Sequence, residues 1–291
     1  MLDFDRLKRF QFPPVVQNYV ARDVFLYALA VGAGADPLDS ARLRYVSEKD
    51  AQMLPTFAAV LGAPGMWTRD HPELGIAYEQ MVHGEQRIRF HRPLQVEASV
   101  VAQNRIGRIV DKGEGKGALV EVIRELADAS DGQPLATLTY VLFCRADGGF
   151  SQHAARTDGP GEPLPSTPAT EPHACINWPT RTDAALLYRL TGDRNPLHAD
   201  PEVASRAGFK QPILHGLATY GMAGCALLRM FAGDDPARLA ALSCRFSAPV
   251  YPGDVLRIEA WRHPAGAAFR VLVPDRGVTV LSHGVAELHP A

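Results

Sequence analysis

The feature that most constrains the fold of this chain is an internal duplication. Residues 22–32 read R-D-V-F-L-Y-A-L-A-V-G, and residues 182–192 read T-D-A-A-L-L-Y-R-L-T-G. Farther along, residues 89–94 (R-F-H-R-P-L) parallel residues 245–250 (R-F-S-A-P-V). The matching positions are 160–161 and 156 residues apart and occur in the same order. One structural unit therefore occurs twice, and 291 residues are enough for two such units, each with a core.

The segment between the two copies differs from both in composition. Residues 147–173 are rich in Gly, Pro, Ser and Thr, which is typical of a surface linker rather than a packed element. We therefore predict an N-terminal repeat over residues 1–146, a linker over 147–173 and a C-terminal repeat over 174–291.

Each copy contains runs with alternating or β-branched residues that indicate strands and that follow helical material. These runs are 86–90, 94–104, 119–127 and 135–145 in the first copy, and 239–246, 255–262, 267–273 and 278–288 in the second. Strands joined by short turns predict an α+β fold in which antiparallel sheets wrap around helices.

The two copies differ in the helix that such a sheet would surround. In the second copy, residues 216–231 are hydrophobic nearly all round, which predicts a buried helix. The matching part of the first copy is interrupted by proline and glycine at Pro55, Gly62, Pro64, Gly65, Pro72 and Gly75. We therefore expect the central helix of the first repeat to be reduced.

A polar motif distinguishes the second copy. Asp193, Asn195 and His198 lie within six residues, and Pro196 prevents a regular helix there, so the three side chains are expected on an irregular turn. The first copy has G-A-G-A-D-P-L at residues 32–38, without the carboxylate, amide and imidazole of the second. A purely structural motif would more naturally survive in both copies, which favours acid–base catalysis. The alternative is that Asp193 is an ordinary turn or cap residue and His198 a structural histidine.

The buried helix begins at a second candidate site residue, Gly216. The first amides of a helix have no internal partner, and the helix dipole favours negative charge there. The Gly216 N–H can therefore donate to an oxygen that becomes negative during a reaction. Together with the polar motif, it suits acid–base chemistry on a carbonyl compound.

Composition and missing motifs exclude several classes of function. A net charge of −2, with 46% hydrophobic and 21% charged residues, is typical of a globular protein and indicates no attraction to nucleic acid or to an anionic membrane. The charged opening MLDFDRLKRF is unlike a signal peptide, and no apolar run is convincing as a membrane span, so a cytoplasmic protein is expected. Serine hydrolase, nucleotide-binding and zinc-protease motifs are absent.

Metal and phosphate sites are also not indicated. The four cysteines share no metal-ligand spacing, and His83 and His91 have no third ligand nearby in sequence, so no metal is expected. Residues 112–117 (K-G-E-G-K-G) lack the spacing of a phosphate-binding loop and predict a hairpin turn.

The stretch from residue 188 to 220, Y-R-L-T-G-D-R-N-P-L-H through H-G-L-A-T-Y, resembles the signature of the type 2, R-specific enoyl-CoA hydratases, the MaoC-like dehydratases of the double hot-dog fold. The resemblance covers nearly the whole chain except residues 150–175. Further matching motifs are R-D-V at 22–24 with L-Y-A-L at 26–29, L-P-T-F at 54–57, H-G-E-Q at 83–86, D-K-G at 111–113 with G-A at 117–118, and R-F at 245–246 with P-V-Y-P-G at 249–253.

This resemblance implies a double hot-dog fold and the reversible hydration of trans-2-enoyl-CoA to (3R)-3-hydroxyacyl-CoA in fatty-acid metabolism. It implies a homodimer and no cofactor apart from the coenzyme A of the substrate. Asp193, His198 and Asn195 would handle the water and its protons, and Gly216 would hold the thioester oxygen. The resemblance also implies substrate or CoA contacts at His83, Gly84, Lys112, Arg194, Pro196, Leu197 and Phe246. The reduced central helix of the first repeat favours medium or long acyl chains.

Three alternatives use related chemistry or the same fold. One is a dehydratase for substrates on acyl carrier protein or for specialised acyl-CoA substrates. The others are a hot-dog thioesterase and a non-catalytic acyl-CoA-binding module. The Asp-x-Asn-x-x-His arrangement argues against both of the latter, because neither needs this acid–base pair. The sequence leaves open which of Asp193 and His198 transfers which proton.

Overall fold

The computed structural model describes residues 2–154 and 156–290. In this part of the chain, the strands form one ten-stranded antiparallel sheet. The strands are β1 Val15–Tyr19, β2 Met81–Phe90, β3 Ala98–Asp111, β4 Ala118–Asp128, β5 Pro134–Cys144, β6 Ala174–Pro179, β7 Leu239–Phe246, β8 Val255–His263, β9 Gly266–Val273 and β10 Val278–Leu288. The α-helices are α1 Phe4–Arg9, α2 Ala21–Ala30, α3 Ser40–Leu43, α4 Trp67–Asp70, α5 Ser151–Ala154, α6 Ala184–Tyr188, α7 Pro201–Arg206 and α8 Gly216–Ala232.

The strand order shows how the duplication folds. It is β1-β3-β4-β5-β2-β7-β10-β9-β8-β6, so each copy contributes five strands in the same internal order and the halves meet where β2 pairs with β7. At this junction Glu85 lies opposite Arg245 and Arg89 opposite Ala241. Because the pair is antiparallel, an approximate two-fold axis passes between the two strands. The predicted α+β double hot-dog architecture is confirmed.

The central helix of the second copy is α8, whose side chains are buried along most of its length. In the first copy this place is taken by short pieces, among them α3, α4 and a 3₁₀ helix over Pro55–Val60. Gly62 follows that 3₁₀ helix with a positive φ of 62°, and a Cβ there would lie 2.1 Å from the Cβ of Ala102. Only glycine fits such a turn against the sheet. The reduced central helix predicted for the first repeat is confirmed.

A buried cation fixes this 3₁₀ helix to the sheet. The side chain of Arg124, on β4, donates to the carbonyl oxygens of Ala59 (3.1 Å) and Leu61 (2.8 Å) and to Oδ1 of Asn104 (3.1 Å). The carbonyls at a helix C-terminus lack partners within the helix and favour a cation. Arg124 therefore holds the end of the short helix where a longer helix would continue.

The described residues between 147 and 173 have little regular structure, but they are attached to the sheet. The carbonyl oxygen of Glu162 accepts a 2.8 Å hydrogen bond from Arg87 on β2, and that of Thr170 accepts one of 2.9 Å from the indole of Trp261 on β8. The segment therefore follows the sheet from the first copy to the second.

Several strand boundaries differ from those predicted. β2 begins at Met81 rather than at residue 86, because a bulge at Gly84 lets pairing with β5 continue through a non-alternating stretch. β3 starts at Ala98 rather than 94 and runs on to Asp111, across another irregularity. The short edge strands β1 and β6 were not predicted. In the described part of the chain, no helix has the length and apolar character needed to cross a bilayer.

Candidate active site

The polar motif folds through local side-chain-to-backbone hydrogen bonds. α6 continues into a 3₁₀ turn that ends at Gly192. Oδ1 of Asp193 then accepts from the Asn195 amide at 3.1 Å, and Oδ1 of Asn195 accepts from the Leu197 amide at 3.1 Å. Asn195 thereby caps a second 3₁₀ turn that starts at Pro196 and ends at His198. These turns bring the acid and the imidazole of the motif to one side of the loop.

His198 is held as a neutral base. Its Nδ1 lies 2.8 Å from the carbonyl oxygen of Ile213, which only accepts, so Nδ1 carries the proton and Nε2 has a free lone pair. Burial lowers the pKa of His198 below 6.5, and the nearby Asp193 carboxylate only partly opposes this. The ring is therefore neutral near pH 7 and able to accept a proton.

A second histidine, His215, completes the cluster. Its Nε2 lies 3.1 Å from the carbonyl oxygen of Asp193, and its ring stacks on that of His198 with centroids 3.7 Å apart. Burial, followed by the neighbouring His198, lowers the pKa of His215 to about 3. One ligand-type atom from each of Asp193, His198 and His215 lies within 4.8 Å of the other two. His215 was not among the site residues predicted from the sequence.

This cluster contains the residue types of a metal site, but its geometry suits proton transfer better. The two imidazole planes are only 28° apart. Imidazole lone pairs lie in the ring plane, so those of two stacked rings lie in nearly parallel planes and do not converge on one ion.

Gly216, the predicted oxyanion donor, begins α8 directly after His215. A Cβ on Gly216 would lie 3.0 Å from the Phe246 ring, so any larger residue there would press against this side chain of β7. The Phe246 ring in turn lies 4.7 Å from the ring of His83 on β2. Three predicted residues from both copies, Gly216, Phe246 and His83, are therefore in one place next to the β2–β7 junction.

His83 is a neutral group at this junction. Burial lowers its pKa to about 4, and Nε2 lies 3.0 Å from the carbonyl oxygen of Glu85. That carbonyl belongs to the bulge in β2, which the sequence analysis did not anticipate. The bulge turns His83 toward Phe246.

Lys112 and Gly84 are close to a common neighbour. The Lys112 ammonium lies 4.9 Å from the centroid of the Phe143 ring, and a Cβ on Gly84 would lie 3.6 Å from the Cβ of Phe143. The backbone of Lys112 closes the predicted hairpin turn with Gly117 at 3.1 Å. A flexible cation is therefore next to the strand that carries His83.

The remaining predicted residues lie on the motif loop itself. Arg194 and Pro196 are exposed, and Leu197 is half-buried. They flank the catalytic candidates on the solvent side of the loop.

Tyr188, which the sequence analysis also did not select, packs behind the cluster. Its ring lies 4.9 Å from His215 and 6.0 Å from Tyr27, which occupies the matching stretch of the first copy. The Tyr188 hydroxyl is buried and has no hydrogen-bond partner among the described residues. The available signal was a tyrosine in the middle of both repeated stretches.

Two family models match different halves of this chain. The MFE-2 hydratase 2 N-terminal domain matches residues 17–146, and the MaoC like domain matches residues 164–281.

Similar proteins match this chain over nearly its full length. The chain is 36% identical to the enoyl-CoA hydratase ChsH3 of Mycobacterium tuberculosis, over 100% of this chain and 99% of that protein. It is 39% identical to the 3-hydroxyacyl-thioester dehydratase Y of the same organism, over 89% and 88% of the two chains. The crystal structure of a MaoC-like dehydratase from Phytophthora capsici superposes with a TM-score of 0.83 at 27% identity, covering 100% of both chains. The chain therefore belongs to the MaoC-like hydratase and dehydratase family, with an N-terminal half of the MFE-2 hydratase 2 type.

Proposed function

We propose that this protein is a hydro-lyase that adds water reversibly to a trans-2-enoyl-CoA and forms a (3R)-3-hydroxyacyl-CoA. The observation that carries the proposal is the cluster of the Asp193 carboxylate and the neutral His198 beside the helix that begins at Gly216. Relatives named enoyl-CoA hydratase and 3-hydroxyacyl-thioester dehydratase, similar over most of the chain, support it.

The first step needs a positioned water and a base. In a trans-2-enoyl thioester, the carbonyl withdraws electrons through the double bond and makes C3 electrophilic. In the proposed mechanism, Asp193 accepts a hydrogen bond from the attacking water while Nε2 of His198 takes its other proton. The Nδ1–H bond to Ile213 keeps Nε2 free for this role. Proton transfer by a positioned group contributes on the order of 10²–10⁴ in rate.

Charge then develops on the thioester oxygen. The amide of Gly216, at the positive end of α8, is the proposed donor to that oxygen. The His198 imidazolium returns its proton to C2 of the enolate, which restores the neutral base and completes the addition of water. The reverse sequence dehydrates the hydroxyacyl thioester. Atoms are transferred only between the substrate, the water and His198. The proposed cycle therefore needs no cofactor beyond the CoA of the substrate.

Asn195 has a supporting part in this proposal. Its side-chain oxygen caps the turn that carries His198, and its NH₂ group remains available to the water or to Asp193. The role predicted for Asn195 was to orient the water or Asp193, and the capping contact adds the orientation of His198.

The substrate is proposed to span both repeats. Lys112, with Gly84 and Arg194, would contact the CoA part, for which a flexible ammonium or an exposed guanidinium suits phosphate and carbonyl groups. The acyl chain would extend past His83 and Phe246 toward the first repeat, where short segments replace a central helix. This arrangement favours medium or long chains. In this proposal the first repeat binds, the second reacts, and the protein is a cytoplasmic homodimer.

The test is direct. Purified protein is mixed with trans-2-enoyl-CoA, loss of the conjugated enone absorbance is followed, and the product is offered to R-specific and S-specific 3-hydroxyacyl-CoA dehydrogenases. We expect rapid loss and oxidation by the R-specific enzyme alone. Release of free thiol would instead indicate a thioesterase, and an S product would overturn the stereochemistry.

A further inference from the structure

A second cavity lies at the other end of the β2–β7 junction. Its volume is about 320 Å³, at the lower end of the roughly 300–1,000 Å³ found for ligand pockets. Its apolar lining includes Met53, Pro55, Phe90, Leu94 and Leu239. None of these residues is among the catalytic or substrate-contacting residues named for the proposed reaction.

The two-fold relation between the repeats makes this cavity the counterpart of the candidate active site. Phe246 directly follows Arg245 at one end of the β2–β7 ladder, and Phe90 directly follows Arg89 at the other. The same internal offset of 156 residues relates Phe90 to Phe246 and His83 to Leu239. The structure brings Phe90 and Leu239 together in this cavity, as it brings Phe246 and His83 together in the active site.

The helices that begin at the two sites also occupy matching positions in the two copies. Leu54-Pro55 precedes the 3₁₀ helix of the first copy as Leu214-His215 precedes α8, with an offset of 160 residues. Pro55 lines the second cavity. The walls of the site have therefore been kept in both copies, while the histidines at two positions are replaced by leucine and proline.

These replacements decide what the second cavity can do. The first copy has no counterpart of Asp193 or His198, so it has no acid–base pair. What remains is an apolar pocket whose described lining residues include no carboxylate. The polar residues of the lining include His91, Arg92 and His289. The anionic group of a bound ligand would therefore contact cationic or neutral side chains.

Arg92 is available to such a group. It pairs with Asp131 at 3.0 Å, but both side chains are more than 40% exposed, and exposed ion pairs contribute only about 0–1 kcal/mol. A ligand anion can therefore compete for the guanidinium at small cost.

We infer that this cavity is a second, non-catalytic binding site for an apolar acyl chain that carries an anionic head group. Acyl-CoA and free fatty carboxylate share this chemistry. The choice of acyl-CoA as first probe rests on the proposed function, but the inference about the cavity does not require turnover.

The experiment counts binding sites with decanoyl-CoA, which has no double bond to hydrate and no hydroxyl to eliminate. Equilibrium dialysis on the full-length protein should give two molecules per chain, and a parallel series with decanoate distinguishes the head groups. Coenzyme A without an acyl chain should not bind in the second cavity. If only one molecule of decanoyl-CoA or decanoate binds per chain, and enoyl-CoA displaces it, the inference is overturned.

Variants assign the second molecule to the cavity. Ala237 is exposed and lines the cavity, so Ala237→Trp should fill it without disturbing the core and reduce the stoichiometry to one. Gln95→Trp, at another exposed position in the same lining, should have the same effect. Hydration should stay within about twofold in both, as for surface substitutions. Ala169→Trp, on the exposed segment between the repeats, is the matched control and should keep two sites.

The outcomes separate this inference from the proposed function. If enoyl-CoA is not hydrated but Ala237→Trp still removes one bound amphiphile, the inference stands and the proposed function fails. If hydration is normal and neither cavity variant changes the stoichiometry, the inference fails alone.

Discussion

The imidazole of His215 stacks on that of His198 with ring centroids 3.7 Å apart, while its Nε2 bonds to the carbonyl oxygen of Asp193. One buried side chain therefore contacts both members of the proposed acid–base pair. It also directly precedes Gly216, the proposed oxyanion donor. The motif loop and the start of α8 are thereby fixed relative to each other, which is the condition for a preorganised site.

Removing the carboxylate charge of Asp193 should abolish most of the hydration activity without unfolding the protein. Asp193→Asn keeps a side-chain oxygen for the turn but cannot bind the water as an anion, so we expect hydration to fall about 10²-fold or more. The melting temperature should change little because Asp193 is exposed. Asp183→Asn, on the exposed start of α6, is the control and should remain active. Near-normal turnover in Asp193→Asn would remove this residue from the chemistry.

Replacing His215 separates stacking from hydrogen bonding. His215→Phe keeps an aromatic ring against His198 but cannot donate to the Asp193 carbonyl, and His215→Gln does the reverse. One such hydrogen bond is worth about 0.5–1.5 kcal/mol, so its loss should lower kcat up to about tenfold with KM little changed. The pH dependence of kcat should also shift in the Phe variant, because the loop beside His198 relaxes. Equal kcat and pH profiles in both variants and the wild type would show that His215 only fills space.

Stability should fall as the pH is lowered from about 6.5. Burial holds the pKa of His83 at about 4 and that of His215 at about 3, below the ordinary value of 6.5. Between these values and 6.5 the unfolded chain binds protons that the folded chain does not, so acid favours unfolding. Each group contributes a slope approaching about 1.4 kcal/mol per pH unit within its window. Urea unfolding at about pH 6.5 and pH 5 measures the slope, and His83→Gln should make it shallower. An unchanged slope in that variant would contradict the assignment to His83.

The sequence was informative where local pattern decides structure. Alternation located most strands, including β7 Leu239–Phe246 with correct ends, and the prolines and glycines after Pro55 indicated the missing helix of the first repeat. The polar motif was also visible, because its turn is built from hydrogen bonds between neighbouring residues such as Asp193 and Asn195.

What the sequence could not show depends on contacts between distant residues. His215 joins the site through the carbonyl oxygen of a residue 22 positions away, and backbone oxygens leave no trace in a sequence. Arg124 interrupts the apolar alternation of β4, but two of its three partners are again backbone oxygens, at Ala59 and Leu61. The roles of these two residues follow only from the fold.

Arg124 should be important for the stability of the first repeat. Arg124→Ala leaves three buried oxygens without a donor, and each unmade hydrogen bond of this kind costs about 1–3 kcal/mol, so we expect a loss of at least about 3 kcal/mol overall. Lysine should not restore stability, because its ammonium lacks the planar fork that reaches several oxygens at once. Arg105→Ala, an exposed arginine on the neighbouring strand, is the matched control and should cost less than about 1 kcal/mol. Denaturant unfolding of the three variants checks this, and a stable Arg124→Ala protein would mean that water replaces the guanidinium.

The last prediction concerns the length of the acyl chain. The first repeat lacks a long central helix, and short segments between residues 40 and 80 cover its sheet where α8 covers the second. If the acyl chain enters there, each buried methylene adds about 0.8 kcal/mol, or roughly a fourfold gain in kcat/KM, until the space is filled. The values should therefore rise from butenoyl-CoA to octenoyl- or decenoyl-CoA. All substrates in this series share the same reacting end, so butenoyl-CoA serves as the internal reference for the chemical step. A maximum at butenoyl-CoA with a steep decline for longer chains would show that the first repeat is closed to the acyl chain despite its missing helix.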